Sequence, residues 1–220
     1  MRDIIRREEL TVVVQAGGES RRMGTSKAFV EFLGEPLVMR SIRRLEPIAG
    51  EMVITTNEPE RFGFLSAYEE YAGIRLCTDL LDTRGALGGM LTALTSARRP
   101  FVALVACDMV FPSAPLFLAE LDALAESGCD VAVPTNEHGF EPFHAVYRRD
   151  TCLEYVGEAL KSEDARAYGW YNEAKLYPFM QKKVYEADPR GGCFINVNTP
   201  QELAEMETRI RNEGMSHRDG

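Results

Sequence analysis

No stretch of this chain approaches the ~18 consecutive apolar residues that a membrane-spanning helix requires. The leading Met1-Arg2-Asp3-Ile4-Ile5-Arg6-Arg7-Glu8-Glu9 also has no apolar run of the kind a secretory signal carries. These absences make the cytoplasm the expected location and leave no membrane partner to expect. Positive charge is short as well. Lysine and arginine total 25 against 34 aspartates and glutamates, giving a formal net charge of -9 and a pI near 5.0. Such a surface does not attract a polyanion, so no nucleic-acid partner is expected and any basic patch must be local.

Cysteine is too sparse and scattered to staple anything. Cys77, Cys107, Cys129, Cys152 and Cys193 include no C-x-x-C pair and are odd in number, which excludes a full disulfide framework and a zinc knuckle. They read as reduced, structural residues. Cys107 stands beside an aspartate rather than in the electropositive setting a reactive thiol needs. Internal repeats, low-complexity tracts and linkers are missing too. The 220 residues, 45% hydrophobic, therefore read as a single domain over 1–220 with flexible ends at 1–10 and 211–220.

Two familiar nucleotide loops are absent. A Walker A loop needs Gly-Lys-Ser/Thr, whereas Gly24 is followed by Thr25, with Lys27 further on. The dinucleotide fingerprint fails because Gly17 and Gly18 are adjacent and Glu19 and Arg22 hold the third and sixth places. What is present is a buried strand, Val12-Val13-Val14-Gln15, running into Ala16-Gly17-Gly18-Glu19-Ser20-Arg21-Arg22-Met23-Gly24-Thr25-Ser26-Lys27. Glycines admit close backbone approach, successive N–H groups form an anion-binding concavity, and Arg22 and Lys27 add the charge a triphosphate requires. A surface turn with solvated arginines is the plain alternative.

Apolar runs at Thr11 to Gln15, Met52 to Thr55, Ile74 to Cys77, Phe101 to Ala106 and Val131 to Val133 suit strands covered on both faces. Helices are expected over Pro36 to Leu45, Leu87 to Ala97 and Pro115 to Ala125. That alternation predicts an α/β fold: a three-layer, Rossmann-like, mostly parallel sheet flanked by helices. Beyond Val133 the pattern loosens, with strands expected at Phe143 to Tyr147 and Lys182 to Tyr185 and a mixed segment from Asp150 to Tyr177. This half is expected to supply the acceptor side. Thr199-Pro200-Gln201-Glu202 has a capping-box pattern, predicting a last helix to about Ile210.

In open α/β sheets ligands lie beyond the carboxyl ends of the strands. There the sequence puts Asn57, Asp79 and Asp108. Asp108 ends an apolar run, Phe101 to Ala106 followed by Cys107, so its carboxylate meets solvent or a cation at the sheet edge. Mg²⁺, which takes one or two carboxylates plus substrate phosphates, is the natural ion. A helix cap is the alternative for Asp108, and turn closure for Asn57 and Asp79. Gly85-Ala86-Leu87-Gly88-Gly89 opens a helix and could lie against a flat base, and Arg84 could meet phosphate. Phe194 to Thr199 reads as a short strand presenting Asn196 and Asn198, with Asn198 a candidate for metal, water or substrate. His144 is the one histidine within a strand-like segment, where a structural role is the commoner reading.

Together these motifs resemble the molybdenum cofactor guanylyltransferases, within the MobA-like nucleotidyltransferases. Gln15 to Lys27 is similar to the family's L-A-G-G-x-S-x-R-M-G-x-D-K signature and Val105-Ala106-Cys107-Asp108-Met109 to its C-D-M/T motif. Gly85 to Gly89 is similar to G-P-L-x-G, and Phe194 to Pro200 to F-x-N-V-N-T-P. The resemblance implies that Gln15, Ala16, Gly17, Gly18, Lys27, Asn57, Asp79 and Asp108 contact GTP, and that Asp108 binds Mg²⁺. It implies catalytic roles for Asp108, Lys27, Arg22 and Asn198, and places His144 on the molybdopterin side. The implied reaction is GMP transfer from GTP to the phosphate of molybdopterin. Transient contacts with molybdoenzymes or cofactor-biosynthesis proteins go with it.

The chain departs from the signatures at Gln15, Ser26, Ala86 and Val110-Phe111-Pro112, none of which removes a phosphate or metal group. Three alternatives stay open on sequence: a cytidylyltransferase acting on molybdopterin, a sugar- or alcohol-phosphate nucleotidyltransferase, and a non-catalytic nucleotide-binding protein. Glycosyl transfer fits less well, because Asp-x-Asp is absent and Val110 stands two places after Asp108.

Overall fold

The computed structural model describes residues 7–17, 26–80, 85–161 and 166–212. A short 3₁₀ turn precedes β1 (Leu10–Gln15), and a hairpin of β2 (Glu31–Phe32) and β3 (Glu35–Pro36) leads into α1 (Leu37–Leu45). Then come β4 (Glu51–Thr55), β5 (Arg75–Cys77), α2 (Ala86–Ser96), β6 (Phe101–Ala106), α3 (Ala114–Ser127), β7 (Val131–Asn136) and the short β8 (Gly139–Phe140). The chain closes with β9 (His144–Arg148), α4 (Arg149–Ala159), β10 (Leu176–Phe179), α5 (Gln181–Ala187) and α6 (Pro200–Asn212).

One sheet runs in the order β10-β7-β9-β6-β1-β4-β5, with β8 paired to β7. β1 lies inside it between β6 and β4, parallel to both, with Val13 opposite both Val53 and Leu104. Its alternation feeds two cores. Val12 and Val14 pack with Ile42, Leu45, Phe117 and Leu121 on the side of α1 and α3. Val13 packs with Met90, Leu94, Tyr147 and Val156 on the side of α2 and α4. Continuous apolar strands are what a sheet covered on both faces requires. Each such side chain contributes about 1.5–3 kcal/mol when fully buried. The expected three-layer α/β architecture is therefore present.

Local signals end the elements where packing needs them. Ser113 caps α3, its Oγ accepting from the Leu116 N–H at 3.3 Å, and Gly128 closes the helix with φ 66°. At the amino end of the sheet Glu51 is a staple. It accepts from Thr11 Oγ1 at 2.6 Å, from the Arg98 N–H at 2.8 Å and from Arg75 Nη2 at 2.7 Å. Burial alone would raise its carboxyl pKa, but these hydrogen bonds and the Arg75 charge outweigh it and hold the group below its ordinary value.

Two expectations are corrected. Lys182 to Tyr185 is not a strand but part of α5, where only Val184 is buried and Tyr185 is 66% exposed. The edge strand is instead β10, parallel to β7 with Leu176 opposite Val131. Phe194 to Thr199 forms no regular strand; its ladder pairing is a single antiparallel bridge between Asn196 and Met109. Where the described residues reach the segments expected to be flexible, Leu10 is fully buried in β1 and α6 runs on to Asn212. The mixed segment contains α4, and β9 enters the sheet antiparallel to both β6 and β7, an orientation its apolar pattern did not reveal.

Candidate active site at the carboxyl edge of the sheet

The strand ends stay coupled beyond their last ladder residues. Ala16 donates to the Thr55 carbonyl at 2.8 Å, Thr56 to Cys77 at 2.8 Å, and Cys107 to Gln15 at 3.0 Å. The segments leaving β1, β4, β5 and β6 are thus held as one rim, and two groups of polar side chains stand on it.

The first group joins Asn57 and Asp79. Asn57 Nδ2 donates to Asp79 Oδ2 at 2.8 Å and the Asp79 N–H returns to Asn57 Oδ1 at 3.3 Å. Gly17 lies against the pair: a Cβ there would stand 3.4 Å from Asp79 Oδ2 and 3.6 Å from Asn57 Nδ2. Gln15 completes this end of the rim. Its Nε2 would be only 2.8 Å from a Cβ at position 89, so the second glycine of Gly88-Gly89 lets α2 approach the Gln15 amide. In the sequence those glycines suggest room for a base, but Gly89 faces a protein side chain.

The second group joins Lys27, Asp108 and Asn198. Lys27 Nζ donates to Asp108 Oδ2 at 2.7 Å and to Asn198 Oδ1 at 2.6 Å. The lysine and aspartate side chains are only 17% and 22% exposed, so the pair is partly withdrawn from solvent. Asn198 reaches Asp108 through an antiparallel clasp in which Val110 donates to the Ile195 carbonyl and Val197 to the Asp108 carbonyl, each at 3.1 Å. The clasp is tied to α6, because Glu202 Oε2 accepts from the Asn198 N–H at 2.7 Å while the Glu202 N–H donates to Thr199 Oγ1 at 3.1 Å. The capping box of the sequence is realised one residue early on its return bond, at Asn198 rather than Thr199.

Two oxygens of hard-ligand type, one anionic, thus converge on a single cationic nitrogen. An ammonium in that place shows that the position accepts a cation. Mg²⁺ asks for one or two protein carboxylates and fills its remaining positions with water and substrate phosphates, so the donor set fits it. Among the described residues no group of three or more His, Cys, Asp or Glu could enclose a metal alone.

Gly18, Arg22 and Arg84 lie outside the described residues. His144 lies elsewhere than expected: it is fully buried beneath the clasp, with Nε2 accepting from the Ser113 N–H at 3.1 Å, and cannot touch an acceptor at the surface. Cys107 adjoins Asp108 but is inert. Burial, with the Asp108 charge added, pushes its thiol pKa up to about 12. Sequence reasoning missed Glu202 as the anchor of Asn198, although the Thr-x-x-Glu spacing carried the signal.

An open sheet with a lysine–aspartate–asparagine cluster beyond its carboxyl ends defines an α/β protein of the nucleotide-handling class. Residues 12–175 match the MobA-like NTP transferase domain, and the chain belongs to that family and is a nucleotidyltransferase. It is 32% identical over 205 residues to a molybdenum cofactor guanylyltransferase of Desulfosudis oleivorans, covering 93% of this chain and 97% of the relative. A second relative of that name, from Cupriavidus necator, is 30% identical over 210 residues, 94% of this chain and 100% of its own. Among solved structures, molybdopterin-guanine dinucleotide biosynthesis protein A of Archaeoglobus fulgidus superposes with a TM-score of 0.75 at 24% identity, covering 92% of this chain and 99% of that one. A 4-diphosphocytidyl-2C-methyl-D-erythritol synthase of Anaerococcus prevotii gives 0.70 at 13% identity, covering 96% of this chain and 100% of that one, a likeness of fold alone. Among the described residues no helix is long and apolar enough to cross a membrane.

Proposed function

We propose that the chain transfers GMP from GTP to the terminal phosphate of molybdopterin, releasing pyrophosphate and forming molybdopterin guanine dinucleotide. The observation that carries this reading is the convergence of Lys27, Asp108 and Asn198 on the rim of a member of this family. The names of its guanylyltransferase relatives supply the base and the acceptor.

An oxygen of the acceptor phosphate forms a bond to the α-phosphorus of GTP while the bond from that phosphorus to the bridging oxygen breaks, and the electron pair leaves with pyrophosphate. The nucleophile is already anionic, so no general base is needed. The protein's tasks are alignment and neutralisation of charge. Asp108, with Asn198 beside it, would hold Mg²⁺. When bound, that ion supplies Lewis acidity at the phosphoryl oxygens. Lys27 moves its charge from Asp108 to the triphosphate, and Arg22 acts with it. Gln15, Ala16, Gly17 and Gly18 carry the nucleotide along the β1 end, and Asn57 and Asp79 hold its nucleoside portion. This assigns the amino-terminal half of one domain to the nucleotide and the carboxy-terminal half to the acceptor. The reading includes a cytoplasmic setting and transient contacts with molybdoenzymes or other cofactor-biosynthesis proteins.

The test is to incubate the purified protein with Mg²⁺, molybdopterin and each nucleoside triphosphate in turn and to weigh the product. Molybdopterin guanine dinucleotide from GTP alone is the expected result. A cytidine product, or none with any nucleotide, rejects the proposal.

A further inference from the structure

His144 and Glu120 form a polar pair sealed inside the protein, each with no exposed surface. The His144 ring stacks on Phe117 at 3.9 Å between centroids and 2° between planes, and meets Phe194 edge to face at 5.6 Å. Its Nε2 accepts from the Ser113 N–H. A neutral imidazole that accepts at Nε2 carries its proton on Nδ1, and Nδ1 points toward Glu120 Oε1 at 3.7 Å. Among the described residues neither Nδ1 nor either Glu120 oxygen has a hydrogen-bond partner. Buried polar atoms left open cost free energy and call for a physical reason.

Position supplies one. Ser113 ends the segment that begins at Asp108, and Phe194 precedes the segment that ends at Asn198. His144 therefore braces both arms of the clasp, one through a hydrogen bond and the other through a ring contact. We infer that His144 and Glu120 are positioning residues that set the spacing of Asp108 and Asn198 for a divalent cation. Glu120 accepts the Nδ1–H when the clasp closes on its load, a movement of about half an ångström. Burial supports a neutral pair throughout, since it pushes the imidazole pKa down to about 3 and the carboxyl well above its ordinary value. The inference rests on the reading of Asp108 as the cation's carboxylate.

The test uses the full-length protein, Mn²⁺ binding read by electron paramagnetic resonance with GTP present, and ¹⁵N-histidine spectra of the wild type. The His144 signal should report the Nδ1–H tautomer, unchanged from pH 5.5 to 8.5. Glu120→Gln, which keeps an acceptor, should bind Mn²⁺ within about twofold of wild type. Glu120→Met and His144→Phe should each weaken Mn²⁺ about tenfold. Glu120→Met should do so with no loss of thermal stability, because it removes open polar atoms from an apolar site. A purely structural role would leave Mn²⁺ affinity alone. An Nε2–H tautomer overturns the inference even if no variant folds. If Asp108→Ala loses Mn²⁺ while Glu120→Met and His144→Phe keep it, the inference alone fails. If Asp108→Ala binds Mn²⁺ like wild type, the reading of Asp108 fails and takes the inference with it.

Discussion

Lys27 Nζ stands 2.7 Å from Asp108 Oδ2, across 81 residues of sequence, so one carboxylate serves a protein cation in the arrangement described above. On the proposed reading, a divalent ion entering at Asp108 would compete with that ammonium, and a triphosphate arriving with the ion would give the ammonium a new partner. Each event favours the other. Asp108→Ala is accordingly expected to abolish pyrophosphate release while far-UV circular dichroism stays unchanged. Lys27→Ala should lower kcat/KM by about 10²-fold or more. An Asp108→Ala protein that keeps magnesium-dependent turnover near wild type would falsify the assignment.

Gly89 tests the other end of the rim. A methyl group there meets the tip of Gln15, a side chain able to swing away, so Gly89→Ala should cost less than about 1 kcal/mol in urea unfolding. It should nevertheless move the Gln15 amide and raise the KM for GTP severalfold at near-constant kcat. An unchanged KM would remove Gln15 from the nucleotide's surroundings.

Glu51 ties Thr11, Arg75 and the Arg98 backbone at the opposite end of the sheet, and its pKa is lowered in the fold. A lowered carboxylate contributes stability that is complete above its unfolded value of 4.5 and drains away as the pH falls through the folded value. Glu51→Gln should lose about 2–3 kcal/mol at pH 7. The gap between variant and wild type should narrow in titrations carried to pH 3. A gap that widens with acid would reverse the sign assigned here.

Burial pushes both Cys107 and Cys193 up to about 12, so neither thiol ionises near neutrality. Native protein treated with iodoacetamide at pH 7.5 should show no label at either position by peptide mass mapping, and full label after unfolding. Fast labelling of Cys107 in the native state would mean that the Asp108 segment opens far more readily than its hydrogen bonds indicate.

The parallel half of the fold was legible because β1, β4 and β6 are buried on both faces and read as unbroken apolar runs. Asn57, Asp79 and Asp108 were legible as candidates because each stands just past a strand, β4, β5 or β6, whereas Lys27 and Asn198 lie outside the strands, in segments that only the motifs singled out. What stayed hidden depends on partners distant in sequence. Leu176 to Phe179 holds an edge through pairing with β7, whereas Lys183-Val184-Tyr185 looks β-prone yet lies in a seven-residue helix anchored by Val184. Asn196 and Asn198 appeared to belong to a strand because extended backbone bonded mainly to a loop leaves the same local pattern. His144 looked available because nothing in Pro142-Phe143-His144 discloses the Phe117 ring stacked on it.

The cluster at the rim draws its members from positions 27, 108 and 198 of a 220-residue chain, and its last member is tethered to the helix that follows. A nascent chain cannot assemble this grip until residue 198 and the helix that tethers it have left the ribosome. Loss of α6 is therefore expected to free Asn198 from its tether and loosen the grip while sparing the central sheet.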